Sequence, residues 1–471
     1  MKTHNNKFEV VVLLLVLLLN FSPAQAKMTK FKPKTNEVAA SYASILNKYK
    51  INSDDLSLQI LDGEETVFGL NENSKKIPAS ISKILTSFAV LKKFPVGQRF
   101  YTKLFYDGKN LYLQGGGDPA FVSENLWYLV NEFTRSDIKE IKGNIIVDDS
   151  LFDKVRFDES RESKRVDRAY DSPVGAMSFN WNAVNIFVKP AKVGQKAQVK
   201  IDPDNDYYEL VNNANTVSGS PKKELVVSIS NTEKLITVSG DVAQDMKEKG
   251  IFKSVSDPDI WSGHNLLYFL EQRDIAVLGK VIAGKVPVGA ELVATYESKN
   301  LSYILSDMNK FSNNFVAEML TKNMAAVDVK SGASLRNGVL VIREELSKIG
   351  IGTNEIHIVN PSGLTRDNSF SAGALNKVLT AVKNDFSIYP IFLDGLPIAG
   401  VDGTLKRRMK SSLAEGWVRA KTGYLDGVVS LAGYAGRRDG KVFTFSFLYN
   451  GPRDEAIVRE AFDQLLNNSL K

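Results

Sequence analysis

Three short motifs stand in a fixed order along this chain: Ser80-Ile81-Ser82-Lys83, Ser312-Asn313-Asn314 and Lys421-Thr422-Gly423. The fold has to bring these distant stretches together, because none is chemically complete alone. A serine hydroxyl is a weak nucleophile until a neighbouring base takes its proton. Lysine can be that base when burial or a second cation lowers its pKa. Ser80 and Lys83 are three residues apart, so a helix presents both on one face. Ile81, Ile84, Leu85, Phe88 and Leu91 recur at helical spacing, with Pro78 before the start and Pro95 past the end. Ser80 is therefore expected near a helix N-terminus, where its own N–H is free to hold a developing oxyanion.

A Ser-x-x-Lys pattern alone carries little weight, and the chain has three. Ser220-Pro221-Lys222-Lys223 reads as a basic surface turn, and Ser136-Asp137-Ile138-Lys139 lies in a solvated connection. Only Ser80 opens an apolar-periodic helix. The three histidines, His4, His264 and His357, offer no alternative base. His4 falls in a segment expected to be removed, His357 alternates as the outward position of a strand, and His264 follows Ser262-Gly263 as in a turn or helix start. With no cysteine at all, zinc sites of the Cys/His kind are excluded. No cofactor is called for.

Lys2 and Lys7 precede an unbroken apolar run, Val10 to Leu19, followed by Ala24-Gln25-Ala26. This is the pattern of a signal peptide over residues 1–26, cleaved after Ala26. The run is too short for a stable transmembrane anchor. The protein is expected to be periplasmic or secreted, and without cysteine its fold rests on its cores. The chain carries a net charge of +6, or +5 without the leader's Lys2, Lys7 and Glu9. Its lysines are scattered, which argues against nucleic acid.

The pattern predicts an α+β fold. A helix over 36–49, strands Leu56–Leu61 and Thr66–Leu70, and the Ser80 helix form the first part of a catalytic domain (27–98). Strands Trp417–Thr422, Val428–Tyr434 and Val442–Tyr449, with a closing helix from about Asp454, belong to its second part (289–471). Together they predict a mainly antiparallel sheet with helices around it and helical material carrying Ser80 and Ser312. Residues 99–288 are rich in short alternating segments and read as one or two inserted β-rich subdomains, beginning with a hairpin at Tyr101–Gln114. Gly115-Gly116-Gly117-Asp118-Pro119 lacks the Lys and Ser/Thr of a phosphate loop and reads as a tight turn.

Ser312-Asn313-Asn314 falls at the break between two helical runs. The Ser312 hydroxyl there can relay a proton to a leaving group, and the Asn314 amide can bond both a substrate amide and Lys83. The competing reading is a plain polar connection with Ser312 as N-cap. Lys421 and Thr422 end a strand and suit a terminal carboxylate. Gly423 is expected to let substrate approach the backbone, and the Tyr424 N–H to join that of Ser80 as oxyanion donor.

These residues resemble the penicillin-binding proteins of peptidase family S13, the low-molecular-mass class C D-Ala-D-Ala carboxypeptidases/endopeptidases. The resemblance extends to Gly115–Pro119, Pro173-Val174-Gly175-Ala176-Met177-Ser178, Asn360-Pro361-Ser362-Gly363-Leu364-Thr365-Arg366 and Leu396-Pro397-Ile398-Ala399-Gly400-Val401-Asp402-Gly403-Thr404-Leu405. It implies a penicillin-recognising serine transpeptidase-like fold with an insert between the first two motifs. It implies Ser80 as acyl-enzyme nucleophile, Lys83 as general base and Ser312 as proton relay. Asn314, Lys421 and Thr422 become substrate-binding residues, and Ser80 and Tyr424 the oxyanion hole. The implied substrates are peptidoglycan stem peptides and cross-links, with β-lactams as covalent inhibitors. Tyr424 stands where the family has a small Ser or Thr, and Asn360-Pro361 replaces an acidic lead. Either Asp167 or Asp171 is a candidate insert residue for reading a peptide side chain. A β-lactamase is the alternative activity, but no Glu-x-x-Leu-Asn is present and none of the 16 tyrosines is followed two residues later by Asn. A non-catalytic peptidoglycan-binding protein is the second alternative.

Overall fold

The computed structural model describes residues 37–161, 167–329 and 331–471. The expected signal peptide lies outside the described residues, and among them no helix is long and apolar enough to cross a membrane.

The two ends of the chain meet in one antiparallel five-stranded sheet. Its spatial order is Val418–Leu425, Val428–Gly436, Val442–Asn450, Leu56–Asp62, Glu65–Leu70. The central strand reads Val-Phe-Thr-Phe-Ser-Phe-Leu-Tyr-Asn and is buried on both faces, with Phe443, Phe445 and Phe447 on one and Thr444, Ser446 and Leu448 on the other. On one face, Phe443, Phe445 and Phe447 share a core with Tyr42 and Leu46 of the Glu37–Lys48 helix and with Val458, Phe462 and Leu465 of the Glu455–Ser469 helix. Asp454 starts that last helix by accepting hydrogen bonds from the N–H groups of Ala456 and Ile457, at 2.9 and 3.1 Å. The opposite face, through Ala432, Tyr434 and Leu448, packs on the helical subdomain. That subdomain contains helices Ser82–Lys93, Leu301–Lys310, Asn314–Ala326, Leu335–Lys348 and Ala372–Lys383. The motif-bearing Val418–Leu425 strand is an edge strand, so its outer backbone faces the cleft beside the Ser80 helix.

The insert has two tiers. One is a five-stranded sheet built from Tyr101–Tyr106, Leu111–Gln114, Ile145–Asp148, Val281–Ala283 and Glu291–Glu297, with helices Ser123–Phe133 and Pro258–Glu271 in its core. Nested within it are two three-stranded sheets drawn from residues 183–254. Glu291–Glu297 pairs along Tyr101–Tyr106, and the Ser298 N–H donates to the Phe100 carbonyl at 2.9 Å. Glu291–Glu297 is thus part of the same sheet as Tyr101–Tyr106. The position of His264 differs from the expectation: it lies inside the Pro258–Glu271 helix, not at a turn or helix start, because Ser262 and Gly263 are buried helical positions, Gly263 packed against Val147 and Val281. Gly115–Gly117 form a tight crossing. An added Cβ would meet backbone within 2.4 Å at Gly115 and 2.2 Å at Gly116.

Candidate active site

Ser80 sits in a short 3-10 turn, Ala79–Ile81, that leads into the Ser82–Lys93 helix. Ala79 has φ +50°, a left-handed conformation that costs a non-glycine residue about 1 kcal/mol. Hydrogen bonds hold it there. Ser430 Oγ donates to the Pro78 carbonyl at 2.6 Å, and Ser82 Oγ donates to the Ala79 carbonyl at 2.9 Å. Two glycines close on the segment from either side. A Cβ on Gly363 would lie 2.0 Å from the Ala79 oxygen, and one on Gly423 would lie 2.6 Å from the Pro78 oxygen and 3.1 Å from Ser80 N. This revises the expectation for Gly423. It is buried, and the space its missing side chain leaves is filled by the nucleophile segment and Ser430, not by the cleft.

Lys83 is fully buried one turn after Ser80. Its Nζ lies 3.2 Å from Ser80 Oγ, 2.7 Å from Asn314 Oδ1 and 2.6 Å from the Ser362 carbonyl oxygen. A neutral amine has two N–H groups and one lone pair. The two carbonyl oxygens accept the N–H groups, which leaves the lone pair for the Ser80 hydroxyl proton. Burial pushes the Lys83 pKa well below its ordinary value; the Lys421 and Arg161 cations add to this and Glu318 opposes it. Burial thus shifts Lys83 toward the neutral form that the chemistry needs.

Ser312 occupies the break between the Leu301–Lys310 and Asn314–Ala326 helices. The N-cap is Asn313, whose Oδ1 accepts from Val316 N at 3.2 Å, so Ser312 is not needed for capping. Ser312 has φ +56°, and its Oγ accepts from Lys421 Nζ at 2.9 Å. Lys421 Nζ also donates to the Thr422 carbonyl at 2.8 Å. Fully buried and without a carboxylate partner in these contacts, Lys421 is lowered to a pKa of about 7 by desolvation. Thr422 Oγ1 lies 2.8 Å from Thr404 Oγ1.

A cleft of about 790 Å³ joins these parts. It is lined by Ser80, Ser312, Asn314, Thr404, Thr422 and Tyr424, with Leu364, Thr365, Arg366, Leu425 and Asp426 along one side and Arg161, Arg168, Tyr170 and Asp171 of the insert along another. Lys83, Lys421 and Gly423 sit behind this lining. Tyr424 is 53% exposed, its ring under the Arg459 guanidinium at 5.3 Å. Of the two insert carboxylates, Asp171 reaches the cleft but is buried against Arg161 at 2.5 Å. Asp167 pairs with Lys253 at 2.6 Å and does not line it.

Three contributors escaped the sequence reading. Glu318 lies one helical turn past Asn314, on a stripe it shares with Thr321 and Lys322, so its carboxylate reads as part of a solvated face. Thr404 lies in the Leu396–Leu405 string, where nothing local singles out its hydroxyl. Arg161 lies in a polar stretch with no periodicity and gave no signal. Asn360, which stands in place of the acidic lead of the family it resembles, has a polar role: its Oδ1 accepts from Ser362 N and Gly363 N at 2.9 and 3.0 Å.

The profile of the D-Ala-D-Ala carboxypeptidase 3 (S13) family matches residues 38–469. The D-alanyl-D-alanine carboxypeptidase of Actinomadura sp. (strain R39) is 29% identical over 466 residues, covering 94% of this chain and 86% of that one. The D-alanyl-D-alanine carboxypeptidase DacB of Haemophilus influenzae is 27% identical over 432 residues, covering 85% and 88%. The crystal structure of penicillin binding protein 4 (dacB) from H. influenzae superposes with a TM-score of 0.77 at 24% identity, over 88% of this chain and 96% of that one. The same protein complexed with a novel β-lactam gives 0.72 at 25% identity, with the same coverage. With the match running through both halves of the catalytic domain and the insert, the chain belongs to the D-Ala-D-Ala carboxypeptidase 3 (S13) family.

Proposed function

We propose that this chain is a penicillin-sensitive serine DD-peptidase of the bacterial cell wall, exported by its N-terminal segment to the periplasm or exterior. One observation carries the reading: a buried lysine whose two N–H groups are taken by Asn314 and Ser362, leaving its lone pair at Ser80 Oγ. Lys83 removes the Ser80 proton as Oγ attacks the carbonyl carbon of a D-Ala residue in a stem peptide. The negative charge on the tetrahedral oxygen is held by the N–H groups of Ser80 and Tyr424. The proton taken by Lys83 is relayed through the Ser312 hydroxyl, itself in contact with Lys421, to the leaving amine, so that Lys83 is neutral again as the C–N bond breaks. Lys421 and Thr422 hold the carboxylate of the leaving residue. Water, deprotonated by Lys83, then attacks the ester, and the same proton passes from Lys83 to Ser80 Oγ as the C–O bond breaks and the acid leaves. A β-lactam forms the same ester, but its leaving amine stays tethered to the acyl group.

The cleft accepts either a terminal D-Ala or a diaminopimelate amine as leaving group, because both leave from the same acyl-enzyme. The test is incubation with fluorescent penicillin followed by mass spectrometry of the labelled peptide. A lasting adduct on Ser80 is expected, with muropeptide digestion then separating carboxypeptidase from endopeptidase products. Rapid release of hydrolysed penicillin instead would indicate a β-lactamase. No adduct on folded protein would sink the catalytic reading.

A further inference from the structure

Arg161 belongs to the insert, yet its guanidinium is buried among catalytic residues, 7% exposed. Nη1 donates to Asp171 Oδ1 at 2.5 Å, and Nε donates to Glu318 Oε1 at 3.2 Å while Nη2 pairs with Glu318 Oε2. Each carboxylate continues into the site. Glu318 Oε1 also accepts from Ser362 Oγ at 3.1 Å and Asn360 Nδ2 at 3.2 Å. That loop supplies the Ser362 carbonyl to Lys83 at 2.6 Å. Asp171 follows Tyr170, whose carbonyl accepts from Asn314 Nδ2 at 3.2 Å. This bond fixes the Asn314 amide with its oxygen toward Lys83.

We propose that Arg161 is a positioning residue of the active site: by clamping Glu318 and Asp171 together, it holds both carbonyl acceptors of Lys83, those of Ser362 and Asn314, in the geometry that aims the lysine lone pair at Ser80. The inserted segment is then a working part of the catalytic apparatus and not a separate appendage. The inference rests on Lys83 serving as the base.

A buried Arg–Glu pair also places opposite charges near one lysine. The groups facing Lys83 are Ser80 on its own segment, Asn314 and Glu318 on the Asn314–Ala326 helix, Ser362, Lys421 on the edge strand, and Arg161 from the insert. Glu318 raises the Lys83 pKa and Arg161 lowers it. Removing either charge must therefore move Lys83 in opposite directions, which loss of packing alone does not do.

The experiment uses the full mature chain and four forms: wild type, Arg161→Lys, Arg161→Met and Glu318→Gln. Two readouts are taken across pH: the rate of Ser80 labelling by fluorescent penicillin, and the titration of Lys83 by NMR on 13Cε-lysine protein, assigned by its loss in Lys83→Met. Arg161→Lys keeps the charge but cannot bridge two carboxylates in a fork. Its labelling is expected to fall about tenfold or more, from misplacement of the base. Glu318→Gln is expected to move the Lys83 titration, and the acid limb of labelling, to lower pH. Arg161→Met moves both to higher pH. Glu318→Gln keeps the side-chain shape and carries the test if Arg161→Met does not fold. Wild-type labelling in Arg161→Lys, or a Lys83 titration unmoved by Glu318→Gln, overturns the clamp. If wild type is not labelled at Ser80, the DD-peptidase reading fails, and the NMR titration still decides whether Arg161 and Glu318 set Lys83.

Discussion

Gly363 presses directly on the carbonyl of Ala79: a methyl group added at position 363 would come within 2.0 Å of that oxygen, and φ at Gly363 is +80°. The residue that positions the nucleophile's backbone is thus a glycine far away in sequence. Gly363→Ala is expected to push the Pro78–Ser80 turn out of place and to adopt a strained backbone itself. Overpacking of this kind costs about 1–3 kcal/mol, and an ångström-scale shift of Ser80 costs about 100-fold in acylation. Thermal unfolding and the rate of penicillin labelling measure the two effects. Gly352→Ala, with nothing within 4 Å of its added Cβ, is the control and leaves both unchanged. Equal labelling in the two variants would remove the proposed role of Gly363.

This relationship marks the boundary of what the sequence alone makes legible. Ser80, Lys83, Ser312 and Lys421 could be picked out because acyl-transfer chemistry restricts residue types, and the helical stripe after Ser80 fixed their setting. The five strands of the catalytic sheet were legible for a similar reason: Val442–Asn450 and its neighbours are long β-rich runs with clear turns. Gly363, Glu318 and Arg161 act through packing and buried charge between segments far apart in the chain. No local pattern encodes such contacts, so Arg161 looked like any solvated arginine and Gly423 like a door for substrate. The strand Glu291–Glu297 is likewise placed by its pairing with Tyr101–Tyr106, a partner that no local pattern announces.

Lys421 gives a prediction about pH and stability. Its folded pKa is lowered to about 7 by burial, against about 10.4 for an unfolded lysine. Between these values the unfolded chain holds a proton that the folded chain has released, so stability rises as pH climbs from about 7 toward 10. Below about 7 both states are protonated and the penalty of burying the charge is present in full. Lys421→Met removes this term. Its Tm is expected to exceed that of wild type at pH 6, and its Tm is expected to rise less between pH 7 and 9. Lys83 is shifted in the same direction, so some slope persists. Parallel Tm curves for the two proteins would refute the assignment.

Thr422 tests how the leaving carboxylate is recognised. Its Oγ1 is 2.8 Å from Thr404 Oγ1 on the cleft wall, so the pair can orient one hydroxyl proton outward. Thr422→Val keeps the β-branched shape and removes the donor. A hydrogen bond to a charged group contributes about 1.5–3 kcal/mol, so kcat/KM for a D-Ala-terminated peptide is expected to fall tenfold or more. The same peptide with an amidated C-terminus is expected to show little further loss on substitution. An equal drop for both substrates would place the effect elsewhere in the site.

Tyr424 bears on which acyl groups enter. Its ring is exposed at the cleft, 53% by area, and is steadied under Arg459 at 5.3 Å, whose Nε donates to the Glu455 carbonyl at 3.1 Å. Thr422 and Tyr424, two residues apart, share one face of the edge strand and both line the cleft, with Thr404 beside the first. The carboxylate end is thus polar, and the Tyr424 end is a partly aromatic wall where a family-typical Ser or Thr would leave open space. Tyr424→Thr is expected to raise acylation by penicillins with bulky side chains relative to 6-aminopenicillanic acid by about tenfold, the usual scale for steric discrimination in a pocket. Tyr424→Phe keeps the ring and its contact with Arg459, so its ratio stays at the wild-type value. The measurement is the second-order acylation rate constant for each β-lactam on all three proteins. If the ratio does not change in Tyr424→Thr, the ring does not bound the acyl side, and selectivity must come from the insert residues Arg168, Tyr170 and Asp171 across the cleft.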